Sequence, residues 1–149
     1  MRIALYQPDQ AGNVGTILRL AACLGVGVDI IEPCGFAYSD RALKRAGMDY
    51  AEIAEVKRHN NWDAFERGVR GRIVLLTTRT SVLLPDARFE ADDVLLLGSE
   101  SSGAPPDVHA RADERVRIPQ IAGARSLNIA VAAGIALGEA LRQTKGWPE

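Results

Sequence analysis

Apolar residues recur along this chain in two rhythms. Residues 3–6, 28–31, 72–77 and 93–97 are brief apolar runs bounded by glycine, proline or charged residues, which reads as strands. The runs at 72–77 and 93–97 are nearly continuous, as in central parallel strands covered on both faces. Ile17, Leu20, Ala21 and Leu24 instead repeat at helical spacing, so 16–24 reads as a helix closed by Gly25 and Gly27. Ser39 or Asp40 caps a short basic helix through Ala46 that Gly47 ends. Asn61 caps another over 62–67, and Pro105-Pro106 opens a third around 107–110. Residues 52–56 and 115–118 are weaker strand candidates, and 126–143 is a long last helix. From Ile129 to Leu137 that helix is apolar all round and rich in small residues, the pattern of a helix buried on every face. In a chain of 149 residues this asks for a second subunit over one side.

Strands alternating with helices predict an α/β domain, a mostly parallel sheet flanked by helices. The length fits one domain, 1–149, with no linker, repeat or separate RNA-binding extension. Hydrophobic residues make up 47% and charged residues 25%, an ordinary soluble balance. Net charge is −1, so any grip on nucleic acid must come from a local patch. Arg41, Lys44 and Arg45 share one face of the short basic helix, and Lys57 and Arg58 form a second basic spot. Either can equally be a solvated surface. Cys23 and Cys34 lack C-x-x-C spacing, which predicts neither a disulfide framework nor a metal site, and both read as small buried apolar side chains. His59 follows Lys57 and Arg58 and reads as a surface residue. No apolar leader and no apolar run of roughly eighteen residues is present, which predicts a cytoplasmic protein without a membrane segment.

Candidate chemistry gathers at three glycine- or serine-punctuated turns: Gly12-Asn13-Val14-Gly15-Thr16-Ile17-Leu18-Arg19, Leu97-Gly98-Ser99-Glu100-Ser101-Ser102-Gly103, and Arg125-Ser126-Leu127-Asn128. Each is expected where a strand ends and a helix begins, and ligands of open α/β sheets bind at the carboxyl ends of strands. The usual nucleotide motifs do not account for them. Gly25-Val26-Gly27 precedes a strand instead of following one, and Ile30 stands where a third glycine belongs. No phosphate loop or nucleophile elbow is present.

Asn13-x-Gly15-x-x-x-Arg19, Gly98-x-Glu100-x-x-Gly103 and Ser126-x-Asn128 resemble the three motifs of the SPOUT superfamily of RNA 2′-O-methyltransferases. Ile31-Glu32-Pro33-Cys34-Gly35-Phe36 and Arg45-Ala46-Gly47-Met48-Asp49-Tyr50 are similar to segments of its minimal branch, which methylates the wobble-nucleotide ribose, position 34, of certain leucine tRNAs. The resemblance implies a SPOUT-type α/β knot with a C-terminal trefoil knot, S-adenosylmethionine as cofactor (S-adenosylhomocysteine as product), tRNA as partner, a homodimer, and no metal. It places Leu76, Thr77, Gly98, Glu100, Gly103, Ile118, Ser126 and Leu127 around the cofactor, although Leu76, Ile118 and Leu127 also read as plain core. It assigns catalysis to Arg19, Asn13, Glu100 and Asn128, with Glu100 orienting the Arg19 guanidinium. The implied reaction is an in-line displacement. The ribose 2′-oxygen bonds to the methyl carbon, the carbon–sulfur bond breaks toward sulfur, and the hydroxyl proton leaves. A guanidinium is too weak an acid to serve as base, so Arg19 is expected to clamp a phosphate or the developing oxyanion. Ser102, Ala130, Val131 and Gly138 depart from residues common in relatives. An enzyme of this fold acting on another tRNA position or on rRNA, and a non-catalytic RNA-binding relative, remain the alternatives.

Overall fold

The computed structural model describes residues 1–39, 41–42 and 54–149. Its strands are β1 (Arg2–Tyr6), β2 (Gly27–Ile31), β3 (Val56–His59), β4 (Ile73–Leu76), β5 (Val94–Leu97) and β6 (Glu114–Val116). Its helices are α1 (Ala11–Leu24), α2 (Trp62–Gly68), α3 (Pro106–Arg111) and α4 (Ile129–Thr144). Six strands form one sheet in the order β3-β2-β1-β5-β4-β6, every pair parallel. The α/β expectation holds, and 72–77 and 93–97 do supply interior strands.

Alternation of side chains across the pleat makes two apolar layers. Ile3, Leu5, Val28, Ile30, Leu95 and Leu97 face Val14, Ile17, Leu18 and Ala21 of α1 together with Ala133, Ala136, Leu137 and Leu141 of α4. Ala4, Ile31, Ile73, Leu75 and Leu96 face Phe65 of α2 and Val108 of α3. Helix α1 stops because Gly25 takes φ +67°, a left-handed conformation that suits glycine.

Several boundaries differ from those read in the sequence. Helix α1 begins five residues early, at Ala11, so Asn13 and Gly15 lie inside it. The strand expected at 52–56 is β3, with Val56 at its start; residues 52–53 lie outside the described residues. Of the short basic helix, Arg41 and Ala42 are described and helical, with the Ser39 hydroxyl accepting from Ala42 N–H at 3.1 Å. Lys44 and Arg45 lie outside the described residues. Helix α4 is buried on one face only: Ile129, Ala133, Ala136, Leu137, Ala140 and Leu141 face inward. Val131 and Ile135 stay 50% and 42% exposed. Cys23 is exposed, against expectation, whereas Cys34 is half-buried. Burial pushes the Cys34 thiol up to about 11, so it stays protonated near neutral pH.

His59 is not a surface residue. Its Nε2 lies 2.7 Å from Asp29 Oδ1, and its ring meets Phe65 edge-on. Asp29 stands within β2 at 4% exposure, its other oxygen accepting from Arg2 Nε at 2.6 Å. Removing one partner of such a pair strands the other away from water. Asp29→Ala is therefore expected to lower unfolding free energy by about 3–5 kcal/mol in urea titration. A loss below about 1 kcal/mol would mean the pair behaves like a solvated surface one.

Candidate active site

Register fixes where the site forms. Leu5, Leu97 and Leu76 sit side by side on β1, β5 and β4, and Val116 of β6 pairs with Leu76. The loops that follow these strands therefore leave the sheet along one line. In the strand order, β1 and β5 mark the point where connections diverge, which is where open α/β sheets form a crevice. A cavity of about 510 Å³ opens there, within the range of small-molecule sites.

Every residue expected around the cofactor borders this cavity. Leu76 and Thr77 come from the end of β4, and Gly98, Glu100 and Gly103 from the loop after β5. Ile118, Ser126 and Leu127 come from the segment between β6 and α4. Asn13 and Asn128 border it as well. Arg19 does not. It is exposed on α1, six residues beyond Asn13, or about 9 Å along the axis. Arg41, Lys57 and Arg58 are also away from the cavity. Lys57 pairs with Glu55 at 3.4 Å, while Arg58 pairs with Glu32 at 2.6 Å and lies over the Tyr38 ring.

Hydrogen bonds tie the three distant motifs together. Glu100 accepts from Asp9 N–H at 2.7 Å through Oε2 and from Asn13 Nδ2 at 3.3 Å through Oε1. Asn13 Nδ2 also donates to Gln10, and Asn13 Oδ1 accepts from Asn128 Nδ2 at 3.0 Å. Asn128 Oδ1 in turn accepts from Ala130 and Val131 N–H, which caps α4. These contacts correct several expectations. The last helix starts at Ile129 and not at the expected 126, with Asn128 as its cap and Ser126 before it. The Glu100 oxygens hold Asp9 and Asn13 where the Arg19 guanidinium was expected. Asn13 has both amide protons engaged, by Gln10 and Glu100, and its place in the first turn of α1 sets it at the cavity rim.

The loop after β5 is a tight reversal. Ser99 and Gly103 exchange backbone hydrogen bonds at 3.1 and 2.9 Å, and the Ser99 and Ser102 hydroxyls meet at 2.7 Å. Gly98 is required by close approach, since a Cβ there would lie 2.5 Å from the Gly103 carbonyl carbon and 2.6 Å from Ala104 N. Gly103 is required by its φ of +66°. Asp9 braces the loop from outside, accepting from Ser101 N–H at 2.9 Å. Hydrogen bonds from Ser101 hold the Asp9 carboxyl below its usual range.

The sequence reading missed Arg79, His109 and Arg117, all at the cavity rim. For the two arginines the available signal was position: Arg79 is three residues past the end of β4, and Arg117 directly follows β6. Burial, followed by the nearby Arg79 and Arg115 charges, lowers His109 from its usual value. Among the described residues, Glu90, Asp92 and Asp93 have ligand-like spacing, but they precede β5, at its far end from the cavity. Arg72 already holds Asp93 at 2.9 Å.

The model of the SpoU rRNA Methylase family matches residues 1–138. A tRNA (cytidine(34)-2′-O)-methyltransferase of Ancylobacter novellus is 50% identical over 150 aligned positions, covering 99% of this chain and 95% of the relative. A solved structure described as "Structural insights into the 2-OH methylation of C/U34 on tRNA" superposes with a TM-score of 0.91 at 40% identity, covering 97% of this chain and 96% of that one. The AdoMet-bound rRNA methyltransferase of Sinorhizobium meliloti superposes at 0.83 and 32% identity, covering 95% of this chain and 55% of that one.

Proposed function

The chain belongs to the SpoU rRNA methylase family, and from that premise we propose that it transfers a methyl group from S-adenosylmethionine to the ribose 2′-oxygen of nucleotide 34 in tRNA. The observation that carries this reading is the hydrogen-bonded line from Glu100 through Asn13 to Asn128, which joins the three motifs at the rim of one cavity.

The residues present suit the cofactor. Gly98 keeps side-chain atoms out of the loop that the ligand would approach, while Leu76, Ile118 and Leu127 offer apolar contact beside strand-end backbone groups. S-adenosylmethionine supplies, when bound, an electrophilic methyl group on positively charged sulfur. The chain's task is alignment, since placing the oxygen in line accounts for most of the acceleration available. Asn128 offers its remaining amide proton, and Glu100 fixes the Asp9 and Asn13 sides of the mouth. Arg19 supplies a fixed fork of donors for a phosphate or the developing 2′-oxyanion.

That fork is brought to the reaction by a second subunit. On α1, Gly12, Thr16, Arg19 and Cys23 are exposed at helical spacing. Leu127, just before α4, and Val131 and Ile135 on it are spaced four residues apart and remain 36%, 50% and 42% exposed. The two helices pack together, so these stripes form one face suited to a second copy. A homodimer across it places Arg19 beside the partner's cavity. The return of the 77–83 segment onto Arg117, with α4 then packing on α1, supports a trefoil knot. We further assign the enzyme to the cytoplasm, to leucine tRNAs as the preferred substrates, and to a single domain carrying both sites.

The test is incubation of the purified chain with labelled S-adenosylmethionine and total tRNA from a strain lacking the corresponding modification, followed by mapping of the labelled ribose. Label confined to nucleotide 34 is expected. Label at another ribose, in rRNA alone, or nowhere would overturn the reading.

A further inference from the structure

We propose that Arg79, Arg115 and Arg117 form the track that receives RNA backbone phosphates, leading away from the cavity along the β6 edge of the sheet. The inference rests on the tRNA reading above and names the surface through which that substrate is held.

The basic spot legible in sequence, Lys57 and Arg58, is neutralised by Glu55 and Glu32. Arg2, Arg72, Arg111 and Arg142 likewise have carboxylate partners. Arg79, Arg115 and Arg117 are exposed, and among the described residues no carboxylate lies within 4.0 Å of their guanidiniums. Topology groups them. Arg115 and Arg117 are two residues apart along edge strand β6 and its continuation, so their side chains leave on one side. The loop carrying Arg79 is stitched to that strand, with Thr80 Oγ1 donating to Arg115 O at 3.3 Å and Arg117 N–H donating to Val82 O at 2.9 Å. Arg115 also donates to His109 O at 3.2 Å, and His109 senses both Arg79 and Arg115.

Arg79 and Arg117 border the cavity and Arg115 does not, so the charge begins at the site and continues outward. A single small anion in the cavity has no use for the outer guanidinium; a polyanion crossing the rim does. On a chain of net charge −1, such a local track is the means of attracting RNA.

Arg79→Gln/Arg117→Gln and Arg115→Gln variants of the full chain are compared with the parent for tRNA affinity across a salt series, S-adenosylhomocysteine affinity by calorimetry, and methyl transfer. The double variant is expected to bind tRNA at least about tenfold more weakly. Its plot of log affinity against log salt should flatten by roughly 0.7 per removed cation, while S-adenosylhomocysteine affinity stays within about twofold. Arg115→Gln should flatten the plot by roughly half as much, and lysine at all three positions should restore the parent slope. Unchanged tRNA affinity and slope beside an active parent overturn the track. So does an equal loss of S-adenosylhomocysteine binding, which would assign these arginines to the cofactor. A parent that methylates no tRNA rejects the tRNA reading itself.

Discussion

Arg19→Lys lowers the methyl-transfer rate by about 100-fold or more and leaves S-adenosylhomocysteine affinity within about twofold. Lysine keeps the charge, so long-range attraction of RNA is retained. What it loses is the planar fork of donors held in fixed geometry. A group that stabilises charge appearing only as the oxygen attacks should show its loss in kcat with little change in KM for tRNA. Arg19 lies on the exposed face of α1 and outside its own cavity, which gives a second readout. In the proposed homodimer, mixing Arg19→Lys chains with Glu100→Gln chains should recover part of the activity, because one of the two sites in a mixed pair keeps both intact residues. Near-parent activity in the single variant, measured under single-turnover conditions, would discard the clamp.

Gly98→Ala is expected to weaken S-adenosylhomocysteine binding at least about tenfold and to destabilise the fold by about 1–3 kcal/mol. The added methyl group would press on the backbone of Gly103 and Ala104, which no rotamer change can relieve. The loop must open, and opening breaks the paired Ser99–Gly103 hydrogen bonds and shifts Glu100 away from Asp9 and Asn13. Calorimetry and a thermal melt read the two effects separately. Ligand affinity unchanged in a well-folded variant would show that the loop does not border the ligand.

Much of this architecture is written in local pattern. Continuous apolar runs identified β4 and β5 as interior strands because burial on both faces leaves no room for alternation. Glycine-punctuated turns and the Ser126-x-Asn128 segment pointed to one site because each requirement is local to a few residues. Features set by distant partners were hidden. Asp29 sits in an apolar strand and is tolerable only because Arg2 and His59 arrive from neighbouring strands, so the sequence placed His59 on the surface. Glu100 carries no mark that its partners are Asp9 and Asn13. Charge in sequence does not reveal pairing either, which is why Lys57 and Arg58 stood out and Arg79, Arg115 and Arg117 did not. The start of α1 was missed because Gly12 and Gly15 are poor helix formers, overridden by the burial of Val14 and Ile17 against the sheet.

The line from Glu100 to Asn13 spans 87 residues of chain, and that from Asn13 to Asn128 spans 115. Contacts of such high sequence separation form late and slowly, since loop closure precedes any gain from them. During synthesis, the Asn13 side-chain oxygen has no Asn128 to meet until residue 128 has left the ribosome, and the face of the sheet that α4 covers waits in the same interval. A nascent chain of this kind has an incomplete cavity until α4 docks, because Asn128, Ile129 and Ala132 line it. Truncation from the carboxyl end should therefore abolish the site in a single step instead of eroding it.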